Sequence, residues 1–156
     1  MKDVNIYIQP QIRGPVVKTA KYGFVIEYLE NGFPVKTYVE IGCLKDATNK
    51  RLVAAAVCQA LGKLPGKSRV TIYTDSRYLQ NAFMQHWMYE WEASDWKNAK
   101  GKNVKNADIW MLIAQKEKIH EISIIYQESH DYSGWLIREM ERTDIKPGKS
   151  REILPK

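Results

Sequence analysis

Apolar and polar residues alternate at the start of the chain. Val4, Ile6 and Ile8 interleave with Asn5, Tyr7 and Gln9, the period of two that marks a strand. Pro10 ends it, having no N–H for a ladder. Tyr22–Leu29 (YGFVIEYL) is a second strand. Asn31-Gly32 is a turn signal, so Pro34–Ile41 should return antiparallel as a hairpin. Thr48–Leu61 (TNKRLVAAAVCQAL) has the alanines of a helix. Thr48 or Asn49 can cap it and Gly62 can close it. It is nearly apolar after Arg51, so it should be buried. Arg69–Thr74 (RVTIYT) is a fourth strand that leads through Asp75-Ser76 into a helical segment from Arg77 to about Met88. Asn106–Lys118 reads as a helix with Ile109, Leu112 and Ile113 on one face. Glu121–Tyr126 (EISIIY) is a fifth strand and Ser133–Arg142 a short last helix. Three hairpin-like strands followed by β-α-β units predict an α/β fold, a mixed sheet with helices on its faces.

The 156 residues suit one domain, expected over residues 1–142. A basic, flexible tail is expected over residues 143–156, where Pro147, Gly148 and Pro155 fall. The chain is 44% hydrophobic and 27% charged, which excludes a disordered or collagen-like chain. No apolar run approaches the roughly 20 residues of a membrane span, and no apolar leader stands at the start. Cys43 and Cys58 lack metal or redox spacing. The expectation is a cytoplasmic protein with reduced thiols. The net charge of +6 is compatible with a nucleic-acid partner.

The element order and several strings resemble the ribonuclease H family. VNIYIQ is similar to that family's first strand, which ends in a catalytic Asp. TNKRLVAAA is similar to the start of its first helix, which carries a catalytic Glu. IYTDSRYL is similar to the strand-to-helix turn with the third carboxylate. WMYEWEASDWK followed by VKNADIW is similar to the handle and the helix after it. The resemblance covers about residues 4–142 and implies a ribonuclease H-like, five-stranded mixed sheet. It also implies Mg²⁺-dependent hydrolysis of RNA in an RNA–DNA hybrid, with two ions clamping the attacking water and the leaving oxygen.

Against that family the site departs. The first acidic position reads Gln9. Asp3 lies roughly 20 Å away along an extended strand, and Glu27 stands in mid-strand. The second position reads Leu52 if Asn49 is the helix-start Asn, and no register restores an acid, because Ala47 to Thr74 contains no Asp or Glu. Lys50 and Arg51 stand there instead and should repel Mg²⁺. Asp75 is the retained carboxylate; the alternative for it is a plain helix N-cap or ion-pair partner. His130 matches the family's flexible-loop histidine, thought to assist proton movement or product release. Glu139 and Glu141 flank the expected final acid, with Met140 on it; either Glu faces the site, or both are solvated charges. The catalytic candidates are therefore Asp75, His130 and Glu139. Asp75 is the candidate metal ligand, for Mg²⁺ held weakly at most.

The binding face departs too. The first loop, residues 10–17, holds one glycine, which puts a close backbone approach to RNA in doubt. Asn49 can still reach an RNA strand. Trp87 matches a tryptophan that packs on DNA, while Trp91 and Trp96 read as handle core. Glu90, Glu92 and Asp95 occupy the handle, and the basic residues are displaced to Lys97, Lys100, Lys102 and Lys105. A basic loop beside an aromatic is a nucleic-acid footprint; a solvated lysine loop is its plain alternative. Three functions stay open: a nucleic-acid-binding domain with little hybrid cleavage, an active ribonuclease H with a rearranged metal site, and a protein-interaction scaffold of a larger nucleic-acid-processing assembly.

Overall fold

The computed structural model describes residues 1–11 and 17–156. The first loop, on which the expected loss of backbone approach rests, falls largely on residues 12–16, outside the described residues. Strands β1 (Lys2–Pro10), β2 (Val17–Glu30) and β3 (Phe33–Ala47) form an antiparallel meander. The β2–β3 turn is Asn31-Gly32 with φ of 51° and 82°, the pair of positive values that a tight hairpin needs. Helix α1 (Asn49–Gly62) crosses to β4 (Ser68–Thr74), which lies parallel to β1. Helices α2 (Arg77–Met84), α3 (Trp87–Ala93) and α4 (Ala107–Glu117) precede β5 (Glu121–Tyr126), which is parallel to β4. Helix α5 (Ser133–Arg142) and strand β6 (Ser150–Ile153) complete the chain.

The sheet is six-stranded in the order β5-β4-β1-β2-β3-β6, not five-stranded. Residues 143–156, expected as a flexible tail, supply the sixth strand, and β6 pairs antiparallel with β3. Gly148, at φ 82°, turns the chain so that its N–H donates to the Cys43 carbonyl at 2.7 Å and Cys43 N–H donates to Lys149 O at 3.0 Å. Short segments of mixed polarity give no period-two signal, and this strand is made by the edge it joins.

Strand alternation divides the protein into two cores. Val4, Ile6, Ile8, Phe24, Ile26 and Ile72 point to one face and pack under α1. Helix α1 is apolar nearly all round because it lies between the sheet and α4. Its Leu52, Val53, Ala56, Val57 and Ala60 are fully buried. Tyr7, Val25, Val39 and Ile41 point the other way, under Leu136 and Met140 of α5. Thr48 caps α1, its hydroxyl accepting from Arg51 N–H at 3.1 Å. Gly62 does not close the helix; Lys63 is the C-cap. The helix expected from Arg77 to about Met88 breaks at Gln85, and left-handed His86 (φ 55°) restarts it as α3. On α4 the buried residues are Trp110, Ile113 and Ala114, whereas Leu112 is exposed.

Candidate functional site

Tyr7 lies opposite Tyr73 in the parallel β1–β4 register, and their rings stack at 4.6 Å. Gln9 lies two residues further along β1, and Asp75 follows the last residue of β4, so both stand at the same end of this parallel pair. Gln9 is buried, and its amide donates to Pro10 O at 3.0 Å. Asp75 sits half-buried just past the carboxyl end of β4. The cap of α2 is Ser76, whose hydroxyl accepts from Leu79 N–H at 3.1 Å, so the cap reading of Asp75 is not needed. Leu52 is fully buried in the core of α1.

His130 reaches the same corner from the loop after β5. Its Nε2 lies 2.9 Å from the Ile8 carbonyl, and its Nδ1 accepts from Tyr132 N–H at 3.1 Å. A carbonyl only accepts, so Nε2 carries the proton and both ring nitrogens are engaged. Burial pushes this imidazole below its usual pKa. The Ile8 carbonyl and the Asp75 and Asp131 carboxylates act in the opposite sense. On α5, Met140 is fully buried. Glu139 faces Arg142 at 3.4 Å, and Glu141 is exposed. Lys21 Nζ donates to the carbonyls of Met140 and Thr143, each at 2.6 Å. An ammonium group therefore caps the end of the final helix. Among the described residues, no three His, Cys, Asp or Glu side chains gather as a metal-holding group.

An open cleft of about 540 Å³ adjoins Asp75, lined also by Thr48, Asn49, Lys50, Tyr78, Lys105 and Asn106. It joins the starts of α1, α2 and α4. Arg51, expected to repel metal at the site, instead turns to α4. Its guanidinium makes a fork to Asp108 (2.8 and 3.1 Å) and donates to Asn106 Oδ1 at 3.0 Å. That fork holds the Asp108 carboxyl below its usual range. Lys50 remains at the cleft with its ammonium 5.1 Å from the centre of the Tyr78 ring.

The handle is an aromatic stack. Trp87 packs between Tyr78 and Trp91, at 5.8 Å from each, and Trp91 meets Trp96 and Trp110 at 5.9 and 5.6 Å. Trp87 is half-buried, leaving part of its ring at the surface. Glu90, Glu92 and Asp95 are exposed, and Glu92 is paired with Lys118 at 3.0 Å. Lys97, Lys100, Lys102 and Lys105 are all exposed. Asn98 shapes their loop by accepting from Lys100 and Lys102 N–H at 2.9 and 3.1 Å, and Lys97 Nζ donates to Asn103 at 2.6 Å.

Sequence reasoning missed one polar cluster. Glu27 is buried in β2 on the α5 side of the sheet and accepts from Asn5 (3.2 Å), Tyr7 (3.1 Å) and Tyr132 (2.6 Å). Burial, and then the Glu27 carboxylate, push both tyrosine hydroxyls well above their usual pKa. Tyr132 is two residues from His130, so Glu27 ties the His130 loop to the sheet. The available signal was an acid in mid-strand in an otherwise apolar run.

A family model for ribonuclease H matches residues 3–144. Ribonuclease HI of Haemophilus ducreyi is 40% identical over 130 residues, covering 83% of this chain and 80% of that protein. Ribonuclease H of Lachnoclostridium phytofermentans is 30% identical over 128 residues, 82% of this chain and 81% of that one. Among solved structures, LC9-RNase H1, described as a type 1 RNase H with the type 2 active-site motif, superposes with a TM-score of 0.69 at 21% identity. The match covers 90% of this chain and 69% of that one. A foamy viral protease-reverse transcriptase in complex with dsDNA gives 0.64 at 16% identity, covering 89% and 92%. The two structures speak for the fold alone, but the family model, over residues 3–144, spans the β1–β4 corner, the handle and α5 together, and the two relatives share 30–40% identity with most of the chain: this chain belongs to the ribonuclease H family.

Proposed function

We propose that this domain binds nucleic acid, RNA–DNA hybrid by kinship, and has lost efficient metal-dependent cleavage of it. The observation that carries this reading is the donor set at the β1–β4 corner. Where the family resemblance expects two further acids around Asp75, the chain has the Gln9 amide and the buried Leu52. Mg²⁺ is a hard ion that binds through carboxylate oxygens and water. One carboxylate beside a neutral amide does not fit a pair of such ions carrying four positive charges. His130, with both ring nitrogens in hydrogen bonds, holds its loop in place. Binding is supported by Trp87, by Lys97, Lys100, Lys102 and Lys105, and by Asn49 at the cleft.

The test is a labelled RNA–DNA hybrid incubated with Mg²⁺ or Mn²⁺, with binding titrated in parallel against salt. Binding without product is expected. Affinity should fall steeply with salt, with the slope of log K against log salt growing with the number of phosphates neutralised. Neutralising the four handle lysines together should flatten that slope. Metal-dependent product from the parent protein would overturn the reading. A second reading, a protein-interaction scaffold, is favoured by the exposed Glu90 and Asp95 of the handle, which would repel a phosphate backbone. It requires that the hybrid not bind at all.

A further inference from the structure

Residues 145–156 lie past the end of the family match at residue 144, yet they fold onto the domain as β6 and the turn before it. They carry Lys146, Lys149, Arg151 and Lys156 against Glu152 alone, a net +3 of the chain's +6. Two backbone hydrogen bonds to Cys43 pin Gly148 and Lys149, and Lys149 N–H donates to Lys146 O at 3.1 Å. The turn is therefore fixed, and an open groove of about 310 Å³ runs along it, lined by Asp144, Ile145, Lys146, Lys149, Ser150 and Arg151. Arg151 is used within the fold, donating to the Asp144 carbonyl at 2.8 Å. Lys146 and Lys149 are exposed, and no ion pair joins them to an acid among the described residues. Lys45 adds a third such cation. The β2–β3 register sets Lys21 opposite Cys43 and Thr19 opposite Lys45, so by strand alternation Lys45 shares the face on which Lys21 caps α5.

This cluster stands at the same end of the sheet as Gln9. Gln9 pairs with Gly23 on β2, two residues from Lys21, and β3 and β6 follow outward. Three inter-strand steps of about 4.8 Å put β6 roughly 15 Å from β1. Helix α2, which leads into the handle, packs on β5 at the opposite edge. The corner therefore lies between two separate cationic surfaces, and a duplex that passes it from the handle runs on toward the β6 turn. Lysine binds phosphate as a point charge through charge-assisted hydrogen bonds. We infer that the turn before β6, with Lys45 beside it, is a second backbone-phosphate contact for the bound nucleic acid, met about four or five base pairs beyond the corner on the side away from the handle. The inference rests on the nucleic-acid-binding reading above and adds a surface outside the family match.

The experiment measures anisotropy of a fluorescein-labelled RNA–DNA hybrid of about 20 base pairs, long enough to pass the corner in both directions, with the full chain. Lys146→Ala together with Lys149→Ala should weaken binding about fivefold, the size expected for two exposed ion pairs, and make the salt dependence shallower. Lys146→Glu with Lys149→Glu should weaken it further, and Lys146→Arg with Lys149→Arg should keep most of the affinity. The double alanine variant should still bind through the handle lysines. Both side chains are exposed and their backbone bonds survive substitution, so urea midpoints should not move. An unchanged affinity and salt slope in the double alanine variant of a protein that binds would overturn the inference alone. An equal loss in the arginine pair would overturn it too, by tracing the effect to the shape of the turn instead of its charge. No binding by the parent would remove both the inference and the reading beneath it.

Discussion

Returning the two missing carboxylates, by Gln9→Asp with Leu52→Glu, asks how far the site can be rebuilt. Leu52 has no exposed surface, and burying a leucine stabilises a fold by about 1.5–3 kcal/mol. A glutamate there loses that contribution and adds the cost of removing a charge from water, several kcal/mol unless it reaches a partner. Gln9→Asp also loses the amide bond to Pro10 O, worth about 1 kcal/mol. The expected loss in EDTA is therefore about 5 kcal/mol or more, comparable with the roughly 5–15 kcal/mol that holds a domain together. Mg²⁺ should offset part of this loss, because an ion bound only by the folded state stabilises it, by about 2.7 kcal/mol at a hundredfold excess over Kd. Urea unfolding should show a parent indifferent to Mg²⁺ and a double variant destabilised in EDTA and partly restored by the ion. Cleavage should remain slight, since Lys50 stays at the cleft and can pair with the new glutamate, and Glu90, Glu92 and Asp95 stay on the handle. A variant as stable as the parent in EDTA would refute the packing argument. Vigorous hybrid cleavage by the variant would refute the claim that the binding face has changed as well.

Three further outcomes follow from the packing and the network. A Cβ at Gly42 would stand 2.2 Å from Tyr22 Cζ. Because that ring is buried, Gly42→Ala should cost about 1–3 kcal/mol in urea unfolding, with part recovered when Tyr22 is shortened. Glu27→Gln leaves at most one carbonyl acceptor for the Tyr7 and Tyr132 hydroxyls, so it should cost about 1–3 kcal/mol and speed amide exchange at Tyr132; unchanged exchange would contradict the tie to the His130 loop. His130 and His120 are both held below their usual pKa, chiefly by burial. The unfolded chain therefore takes up protons near pH 6.5 that the folded one refuses, and stability should be level above that pH and fall as pH drops through it toward the lowered folded values. Urea midpoints across this range check the trend, and His130→Asn should shallow it.

The sequence by itself determined what depends on local period and residue chemistry. Strand alternation placed Ile6 and Ile8 in one core, the alanine-rich run made α1, and the Asn31-Gly32 pair made the hairpin. The bounds of β5 and α5 were legible because each carries its own pattern between turn residues. The lack of any acid from Ala47 to Thr74 was also a sequence fact, as it needs no alignment. Only the tertiary structure decided which groups meet. β6 exists because β3 offers it an edge, and its four residues carry no pattern of their own. Arg51 leaves the cleft because Asp108, distant in sequence, lies within reach of its guanidinium. Glu27 becomes a buried acceptor because two tyrosines and an asparagine converge on it from β1 and the start of α5. The cap of α2 fell to Ser76, whose hydroxyl accepts from Leu79 N–H, a contact of atoms that residue types alone leave open. Pattern fixes which face of an element is apolar, whereas charges and hydrogen bonds find partners only after the chain has folded, across separations that no local period encodes.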